Sequence, residues 1–429
     1  MLSYVPIMIL LVCFVLGIPI VFSMFCAVVP YLAFINTSMP AHLILQRVVA
    51  QLESSSTWAI PLFIMAGSIM SYAGISQRLM NLAEALVGQM RGCLAQVNVL
   101  LSTMMGGLSG SAAGDAASEC KILVPEMLRH GYDADFSAAV TAASSIITPI
   151  IPPGITLIMY ATITTVSVGK MFMAGYVPGV IMCIGEMILV NYISKKRGYK
   201  PSREKMASKG EIWKLIKHAS WALVIPFGVI MMRRVGGCTA TEGGAILSVY
   251  SFIIGVFVYK EIKLEHIWPI IQDFVRSCAT VVIMICAANA FSWYMSYEGI
   301  TVAITQKLMD GNFTRVTFLL MCIVLYLILG MFIDGGAIMI MIVPLMLPMV
   351  NAFNIDLVHF GIIMCLMSAV GALTPPFGVI VYLVSPLLNI RAADVFKACL
   401  PFIALLMGLI LLFTFVPEII TFLPNLLYG

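Results

Sequence analysis

Apolar runs of about 20 residues, repeated along most of the chain, constrain its fold more than any other feature. A run of that length spans a bilayer as a helix, in which backbone amides and carbonyls are paired within the segment. The composition agrees, since only 10% of the 429 residues are charged. Soluble domains carry about 25% charged residues. We therefore predict an all-α polytopic membrane protein.

The apolar segments are of three kinds: regions broken by polar residues, short stretches that include charges, and continuous spans. Two regions, 93–128 and 314–352, are broken halfway by Gly, Ser or Asp, which predicts re-entrant hairpins. Shorter stretches that mix charges with apolar residues predict helices in the interface, at 41–52, 77–90, 261–275 and 301–312. The predicted spans lie near 5–35, 58–75, 138–163, 171–193, 219–235, 241–259, 276–297, 358–388 and 398–423. The first of these has no basic leader, so we expect it to be retained as a helix.

The distribution of Lys and Arg predicts the orientation. Nine of the 24 lie between 194 and 218, so we expect this stretch to be a basic loop in the cytoplasm. Tracing spans outward from it places the N-terminus in the cytoplasm and the C-terminus in the periplasm. The hairpin 93–128 then opens from the cytoplasm and the hairpin 314–352 from the periplasm.

An internal repeat accounts for these opposed hairpins. "MSYAGI" at 70–75 returns as "MSYEGI" at 295–300, and an offset of 223 pairs the doublet Pro152-Pro153 with Pro375-Pro376. Chance similarity within an apolar sequence is the alternative. The opposed orientation of the two halves, together with polar and proline residues at matching positions in both, predicts an inverted-repeat, ion-transporter-type fold with two proline-broken helices. We expect a first repeat in 1–193 (scaffold helices 1–91, hairpin 93–128, broken helix 138–163), the basic loop 194–218, and a connecting helix with the second repeat in 219–429 (hairpin 314–352, broken helix 358–388).

Each half places a polar hairpin tip before a proline break. The tips are "SGSAAGD" at 109–115 and "FIDGG" at 332–336, and the breaks are "TPIIPPG" at 148–154 and "GALTPPFG" at 371–378. Proline removes an amide donor and frees carbonyls, which are tolerated at membrane depth only inside protein or beside a wet cavity. A hard cation such as Na⁺ is bound by carbonyl and hydroxyl oxygens. We therefore expect two cation sites, one in each half, with a substrate between the tips.

Four carboxylates stand within the apolar regions. Asp334 at the second tip is the strongest candidate ligand, because a carboxylate within an apolar hairpin in the membrane is costly without a partner. We expect Asp115 and Glu119 to be satisfied by Lys121 or surface water, and Glu186 to pair with a neighbouring helix or a partner subunit.

Two other functional classes fit parts of the pattern. "GLSG", 107–110, matches the Gly-x-Ser-Gly of intramembrane serine proteases, with Ser109 as nucleophile. That chemistry needs a histidine base at the same depth, and the trace puts all five histidines at helix ends or in interfacial segments. A channel would need a pore lined by rings of carbonyls or charges and has no use for two opposed hairpins. We expect a transporter, with no enzymatic activity and no cofactor.

Four segments resemble the large membrane subunit of tripartite ATP-independent periplasmic (TRAP) transporters. They are "GGLSGSAAGDAASECKILVPEMLRHGYDADFSAAVTAASSIITPIIPPGI" (106–155), "GGCTATEGGA" (236–245), "GMFIDGGAIMIMIVPLMLP" (330–348) and "GALTPPFGVIVYLV" (371–384). Ala240 stands where that family usually has proline in its Thr-Pro-Thr-Glu segment.

The resemblance implies an elevator-type, Na⁺-coupled importer in the bacterial inner membrane. It implies a small four-helix membrane subunit, expected here as a separate chain, and a periplasmic binding protein that delivers a carboxylate, with sialic acid (N-acetylneuraminate) favoured and C4-dicarboxylates next. The alternative is a single-component Na⁺/carboxylate transporter.

The resemblance also implies two sodium sites. The first maps to Ser109, Ser111, Thr148, Ile151, Pro152 and Pro153, and the second to Asp334, Gly335, Gly371, Thr374, Pro375 and Phe377. The substrate is expected near Ser109, Gly110, Gly154 and Gly336.

Overall fold

The computed structural model describes residues 4–36, 40, 42–201, 207–236, 239–311 and 313–428, apart from the side chains of residues 15, 55, 56, 107–109 and 225–236. All regular secondary structure in these ranges is helical, which confirms the predicted fold class at that level. The first five helices are α1 (Val5–Val15), α2 (Ile20–Pro30), α3 (His42–Glu53), α4 (Ser55–Tyr72) and α5 (Ile75–Val87).

The next five helices make a hairpin followed by a broken helix. They are α6 (Cys93–Ser109), α7 (Ala112–Ile122), α8 (Val124–Arg129), α9 (Ala134–Ser144) and α10 (Ile155–Thr164). The hairpin turns between α6 and α7, and its second arm is interrupted at Leu123. The stretch 145–154, which contains the proline doublet, separates α9 from α10. Proline cannot donate the amide that a continuous helix needs there.

Long helices connect the two halves. They are α11 (Val168–Arg197), α12 (Lys209–Gly236), α13 (Ala240–Ile253), α14 (Leu264–Tyr297) and the shorter α15 (Ile300–Asp310). A capping box begins α13, because Thr239 and Glu242 satisfy each other's backbone amides, at 2.7 Å from Thr239 N to Glu242 Oε2. This cap forms within the "TATE" segment.

A second hairpin and a second broken helix follow. The helices are α16 (Arg315–Gly330), α17 (Gly335–Ala352), α18 (Leu357–Gly371), α19 (Val379–Leu387), α20 (Ala392–Phe415) and α21 (Glu418–Tyr428). Asp334 caps α17 and Asp356 caps α18. Gly330 and Gly371 bring α16 and α18 into close contact, since a Cβ added to Gly371 would lie 2.6 Å from Gly330 Cα.

The hairpins and broken helices pack in matching pairs. The first arm of each hairpin lies along the first half of the broken helix that follows it, α6 on α9 and α16 on α18. The second arm contacts the second half of the other broken helix, α7 on α19 and α17 on α10. The long helix α14 packs against α17 and α4. The two halves are therefore interlocked through their hairpins.

Five described helical segments are long and apolar enough to cross a membrane: α11, Ala240–Val258, α14, α17 and α20. The pair Thr57–Tyr72 and Ile75–Val87, bent by 70°, makes a sixth if it is one span. Several predicted spans are instead built from shorter helices, because glycine and proline divide them. These lengths and compositions support a multi-pass membrane protein.

Three predicted boundaries were wrong. The run 5–35 is divided between α1 and α2, where Gly17 adopts a φ of 75° and Pro19 precedes the second helix. The stretch 261–275 is not a separate interfacial helix, because from Leu264 it continues into the predicted span 276–297 as α14. The basic loop 194–218 is shorter than predicted, since α11 ends at Arg197 and α12 begins at Lys209. In the last two cases the residues change between apolar and charged, but the helix continues through the change.

Candidate functional site

A cavity of about 360 Å³ lies between the two hairpin tips. The first tip contributes residues 110–113 and the second contributes residues 334–336. Side chains of α10 and α14 and the ends of α18 and α19 complete the walls. Of the residues predicted near the substrate, Gly110 and Gly336 line this cavity and Gly154 does not.

The first tip is a tight turn held against the first break. Gly110 has a φ of 58°, and a Cβ added to it would lie 3.0 Å from both Pro153 O and Ile155 N. Ser111 caps α7, since its hydroxyl accepts a hydrogen bond from Gly114 N at 3.4 Å. Only glycine combines this backbone conformation with this close approach. The predicted ligand Ser109 ends α6, and its side chain lies outside the described residues.

The first break lies directly behind this tip. The Thr148 hydroxyl is 2.9 Å from Asp115 Oδ2 and 3.2 Å from the carbonyl of Ser102, so it links the break to both hairpin arms. Ile151 fills the space left by Gly106 and Gly179. The remaining predicted residues of this break, Pro152, Pro153 and Gly154, are buried.

The second tip places a carboxylate on the cavity wall. Asp334 Oδ2 accepts a hydrogen bond from Gly336 N at 3.0 Å, which fixes the carboxylate at the start of α17. A Cβ added to Gly335 would lie 2.9 Å from Ser368 Oγ of α18. Gly336 lies opposite Met159 of α10. This tip therefore faces both broken helices.

The second break stands beside the cavity. Thr374 is nearly buried and donates its hydroxyl to the carbonyl of Val370 at 2.8 Å. Phe377 is 55% exposed and packs on Phe332, with ring centroids 5.2 Å apart. The cavity lining includes Ser368, Ala369 and Ala372, whereas the predicted residues Gly371, Thr374, Pro375 and Phe377 are not part of it.

The electrostatic character of the cavity comes from four helix N-termini, one guanidinium and one carboxylate. First-turn residues of α7, α10, α17 and α19 all line it, so the positive ends of four helix dipoles converge there. Arg276 of α14 lines the same cavity, and Asp334 is the other charged residue on its wall. Such an arrangement favours an anion close to the first turns. In the described part of the chain, no group of three or more His, Cys, Asp or Glu side chains could hold a metal ion.

Comparison with known proteins identifies the family. The sequence profile of the DctM component of tripartite ATP-independent periplasmic transporters matches residues 7–419. The chain belongs to this family. As a TRAP large permease, it is a membrane transport protein, which confirms the predicted resemblance.

Relatives of this TRAP permease differ in the substrates that their names give. The chain is 33% identical to the sialic acid TRAP transporter permease protein SiaT of Haemophilus influenzae, over 99% of this chain and 68% of that protein. It is 32% identical to the sialic acid large permease SiaM of Vibrio cholerae, over 96% of both. It is 31% identical to the C4-dicarboxylate large permease DctM of Rhodobacter capsulatus, also over 96% of both.

Two solved structures share the fold of the permease. The YdaH transporter of Alcanivorax borkumensis superposes with a TM-score of 0.62 at 13% identity, covering 87% of both chains. MtrF of Neisseria gonorrhoeae, from a class of antimetabolite efflux pumps, superposes with a TM-score of 0.60 at 13% identity, over 86% of this chain and 83% of MtrF. At this identity the likeness concerns the fold.

The contribution of α14 to the cavity was not predicted from the sequence. Arg276, Ser277 and Thr280 line it from a helix that is distant in sequence from both tips. A charge at the edge of a predicted span was the available signal, because ionisable residues there often mark a pathway. The side of the helix on which Arg276 lies became visible only in the folded chain.

Two expectations about carboxylates were wrong. Asp115 and Glu119 are 1% and 2% exposed, and they accept hydrogen bonds from Thr148 and Ser102 rather than facing Lys121 or surface water. Glu186 is fully buried within this chain, and neither carboxylate oxygen has a hydrogen-bond partner among the described residues. It is thus enclosed by its own chain and unavailable to a partner subunit.

Proposed function

We propose that this permease is the translocating subunit of a Na⁺-coupled importer for an anionic carboxylate. The observation that carries the proposal is the convergence of four helix N-termini and Arg276 on one cavity. Backbone amides at helix N-termini stabilise an anion because they are unpaired and carry partial positive charge. Arg276 adds a guanidinium, whose fork of donors matches a carboxylate.

The substrate class follows from this charge and from the relatives. A sialic acid is favoured, since the relatives SiaT and SiaM are named for it, and a C4-dicarboxylate comes next because of DctM. Both carry a carboxylate that suits the N-termini and Arg276. A cavity of about 360 Å³ is within the range of small-molecule sites, which begins at about 300 Å³.

Two Na⁺ sites are proposed behind the tips. The first would use Ser109, Ser111 and carbonyls from Thr148 to Pro153, and the second would use Asp334, Gly335 and carbonyls from Gly371 to Phe377. Both proposed sites join a tip to the neighbouring break, so Na⁺ would fasten each tip in place. A closed tip would then complete the anion site, and this would couple Na⁺ binding to carboxylate binding.

The proposed mechanism is an elevator built on an inverted repeat. The hairpins and broken helices would move together, since each hairpin packs against both broken helices. The remaining long helices would form the scaffold. The twofold order of elements and the excess of Lys and Arg between 194 and 218 support a cytoplasmic N-terminus and a periplasmic C-terminus in the inner membrane.

Two partners complete the proposed importer. A small four-helix membrane subunit would brace the scaffold, and a periplasmic binding protein would deliver the carboxylate. The matching family is a component of a tripartite transporter, which supports a three-part assembly. The second candidate is a single-component Na⁺/carboxylate transporter, and uptake by this chain alone would favour it.

Reconstitution tests the proposal. The permease with its partners in liposomes should accumulate sialic acid under an inward Na⁺ gradient. Replacing Na⁺ by K⁺ on both sides should abolish accumulation. Equal uptake in K⁺ would refute Na⁺ coupling, whereas Na⁺-driven uptake of a dicarboxylate in place of sialic acid would correct only the substrate.

Asp334→Asn tests the second Na⁺ site. Asparagine keeps an oxygen for the bond from Gly336 N but loses the charge, so folding should survive while the Na⁺ concentration for half-maximal uptake rises about tenfold. The control is Asp356→Asn, which changes the equivalent cap of α18 away from the cavity. Unchanged Na⁺ affinity in Asp334→Asn would remove this residue from the site.

A further inference from the structure

Three buried carboxyl groups lie in the first hairpin and on α11, away from the substrate cavity. Asp115 and Glu119 are one turn apart on α7, Glu186 is on α11, and both helices pack against α6. All three are at most 2% exposed. None of them lines the cavity.

The hydrogen bonds of this cluster leave acceptors without donors. Ser102 donates to Glu119 Oε1 at 2.9 Å, but Glu119 Oε2 has no partner in the described structure. Both oxygens of Glu186 also lack one. Gln96 on α6 donates its amide to the carbonyl of Met187, beside Glu186, and its own buried Oε1 has no donor. The region therefore has more acceptors than hydrogens.

No basic side chain neutralises these carboxyl groups. The ion pairs seen in the described residues do not include Asp115, Glu119 or Glu186, and Lys121 on the same helix is exposed. An isolated buried carboxylate is so costly that it takes up a proton or a counter-ion. The carboxyl groups are not grouped as metal ligands in the described part of the chain.

The neighbouring elements carry other groups that titrate. Cys120 follows Glu119 on α7, and Cys183 lies about one turn before Glu186 on α11. α6 and α9 present neutral side chains, and α20 places Leu405 and Leu409 beside Gly185. The other helices packed against α7 and α11 carry charged groups, as at Glu126, Arg129, Lys217, His359, Asp394, Lys397 and Glu418, and the phenols and thiols of Tyr160, Tyr382, Cys365 and Cys399.

We propose that Glu119 and Glu186 form a proton-binding site inside the membrane domain, separate from the Na⁺ and carboxylate sites. A proton on each carboxyl group removes the buried charge. It also supplies an O–H donor in a region where buried oxygens of Glu119, Glu186 and Gln96 have no hydrogen-bond donor. The site lies behind the tip, because α7 runs from the cavity wall at Ala112 and Ala113 to Glu119.

Loss of these protons would act on the hairpin. Deprotonation leaves an uncompensated buried charge on Glu119, one turn from the Asp115 carboxyl group. The cost of this buried charge would favour displacement of α7, and with it the first tip. Uptake should therefore decline at alkaline pH for a reason independent of which cation drives transport.

Infrared spectroscopy on the purified permease tests the site without using transport. The wild type at pH 7 should show a carboxylic acid carbonyl band that shifts in D₂O, and Glu119→Gln and Glu186→Gln should each remove part of it. Glutamine has the shape of a protonated glutamate, so both variants should fold. Absence of this band from the wild type would overturn the proposal even if neither variant could be purified.

The pH dependence of uptake gives the second readout. With the Na⁺ gradient fixed, wild-type uptake should decline about tenfold per pH unit once the site loses its proton. A variant that carries Glu119→Gln and Glu186→Gln together should stay within about twofold over the same range, because neither carboxyl group of the site remains to lose a proton. The matched control is Glu126→Gln, the same change at an exposed glutamate of α8, which should decline like the wild type. A double variant that declines in parallel with this control would refute the proposal.

Discussion

Arg276 and Asp334 place opposite charges on the wall of one cavity, from a long helix and from a hairpin tip. This division suits a symporter, because an anion and a cation can be bound close together without sharing ligands. The guanidinium can form a bidentate pair with a carboxylate, and a lysine ammonium cannot. Arg276 is therefore expected to contribute to carboxylate affinity more than any other side chain on the wall.

Substituting Arg276 by glutamine should weaken carboxylate binding about 10- to 100-fold, because a charge-assisted hydrogen bond contributes about 1.5–3 kcal/mol. Titration calorimetry of the purified permease complex with the substrate measures the loss. Arg391→Gln is the control, since it removes an exposed arginine that pairs with Asp394 and lies off the cavity. Equal affinities of the two variants would exclude Arg276 from the site.

Between elements, the contact of α16 with α18 depends on two glycines. A methyl group at residue 371 would clash with Gly330 Cα at 2.6 Å, and a backbone atom cannot relieve the clash by changing rotamer as a side chain can. Gly371→Ala should therefore destabilise the permease by about 1–3 kcal/mol and lower its apparent Tm. Gly408→Ala in α20, where nothing lies within 4 Å, should leave the Tm unchanged or raised. Equal shifts for the two variants would contradict the close packing.

A surface contact connects the start of α9 to the end of α11. Hydrogen bonds from Tyr199 and Arg197, each 2.7 Å long, hold the pKa of Asp133 below its usual range. A lowered pKa stabilises the fold above the ordinary value of about 3.9, and this contribution is lost as the pH falls through the lowered value. Asp133→Asn should thus reduce the apparent Tm equally at pH 6 and pH 8. A loss that changes across this range would show that another titrating group is involved.

Glycine and proline explain why much of the architecture could be predicted. They interrupt the helices at the tips and breaks whatever the surroundings, so both hairpins and both broken helices could be located from the sequence. The burial of Glu119 and the position of Arg276 could not be. Where almost every residue is apolar, hydrophobic periodicity no longer indicates which side of a helix faces protein. The polar face of α14 depends on contacts with hairpins that are distant in sequence.

For the whole molecule, an inverted repeat requires the two hairpins to open to opposite sides of the membrane. Arg129 ends α8 at the base of the first hairpin, and Asp310 ends α15 before the second, and both are exposed. In Arg129→Cys and Asp310→Cys, a membrane-impermeant maleimide should label only Asp310→Cys in spheroplasts and only Arg129→Cys in inside-out vesicles. The parent protein with its native cysteines gives the background. Labelling of both variants from the same side would rule out the inverted repeat, because α16 and α17 would then enter the membrane from the same face as α6 and α7.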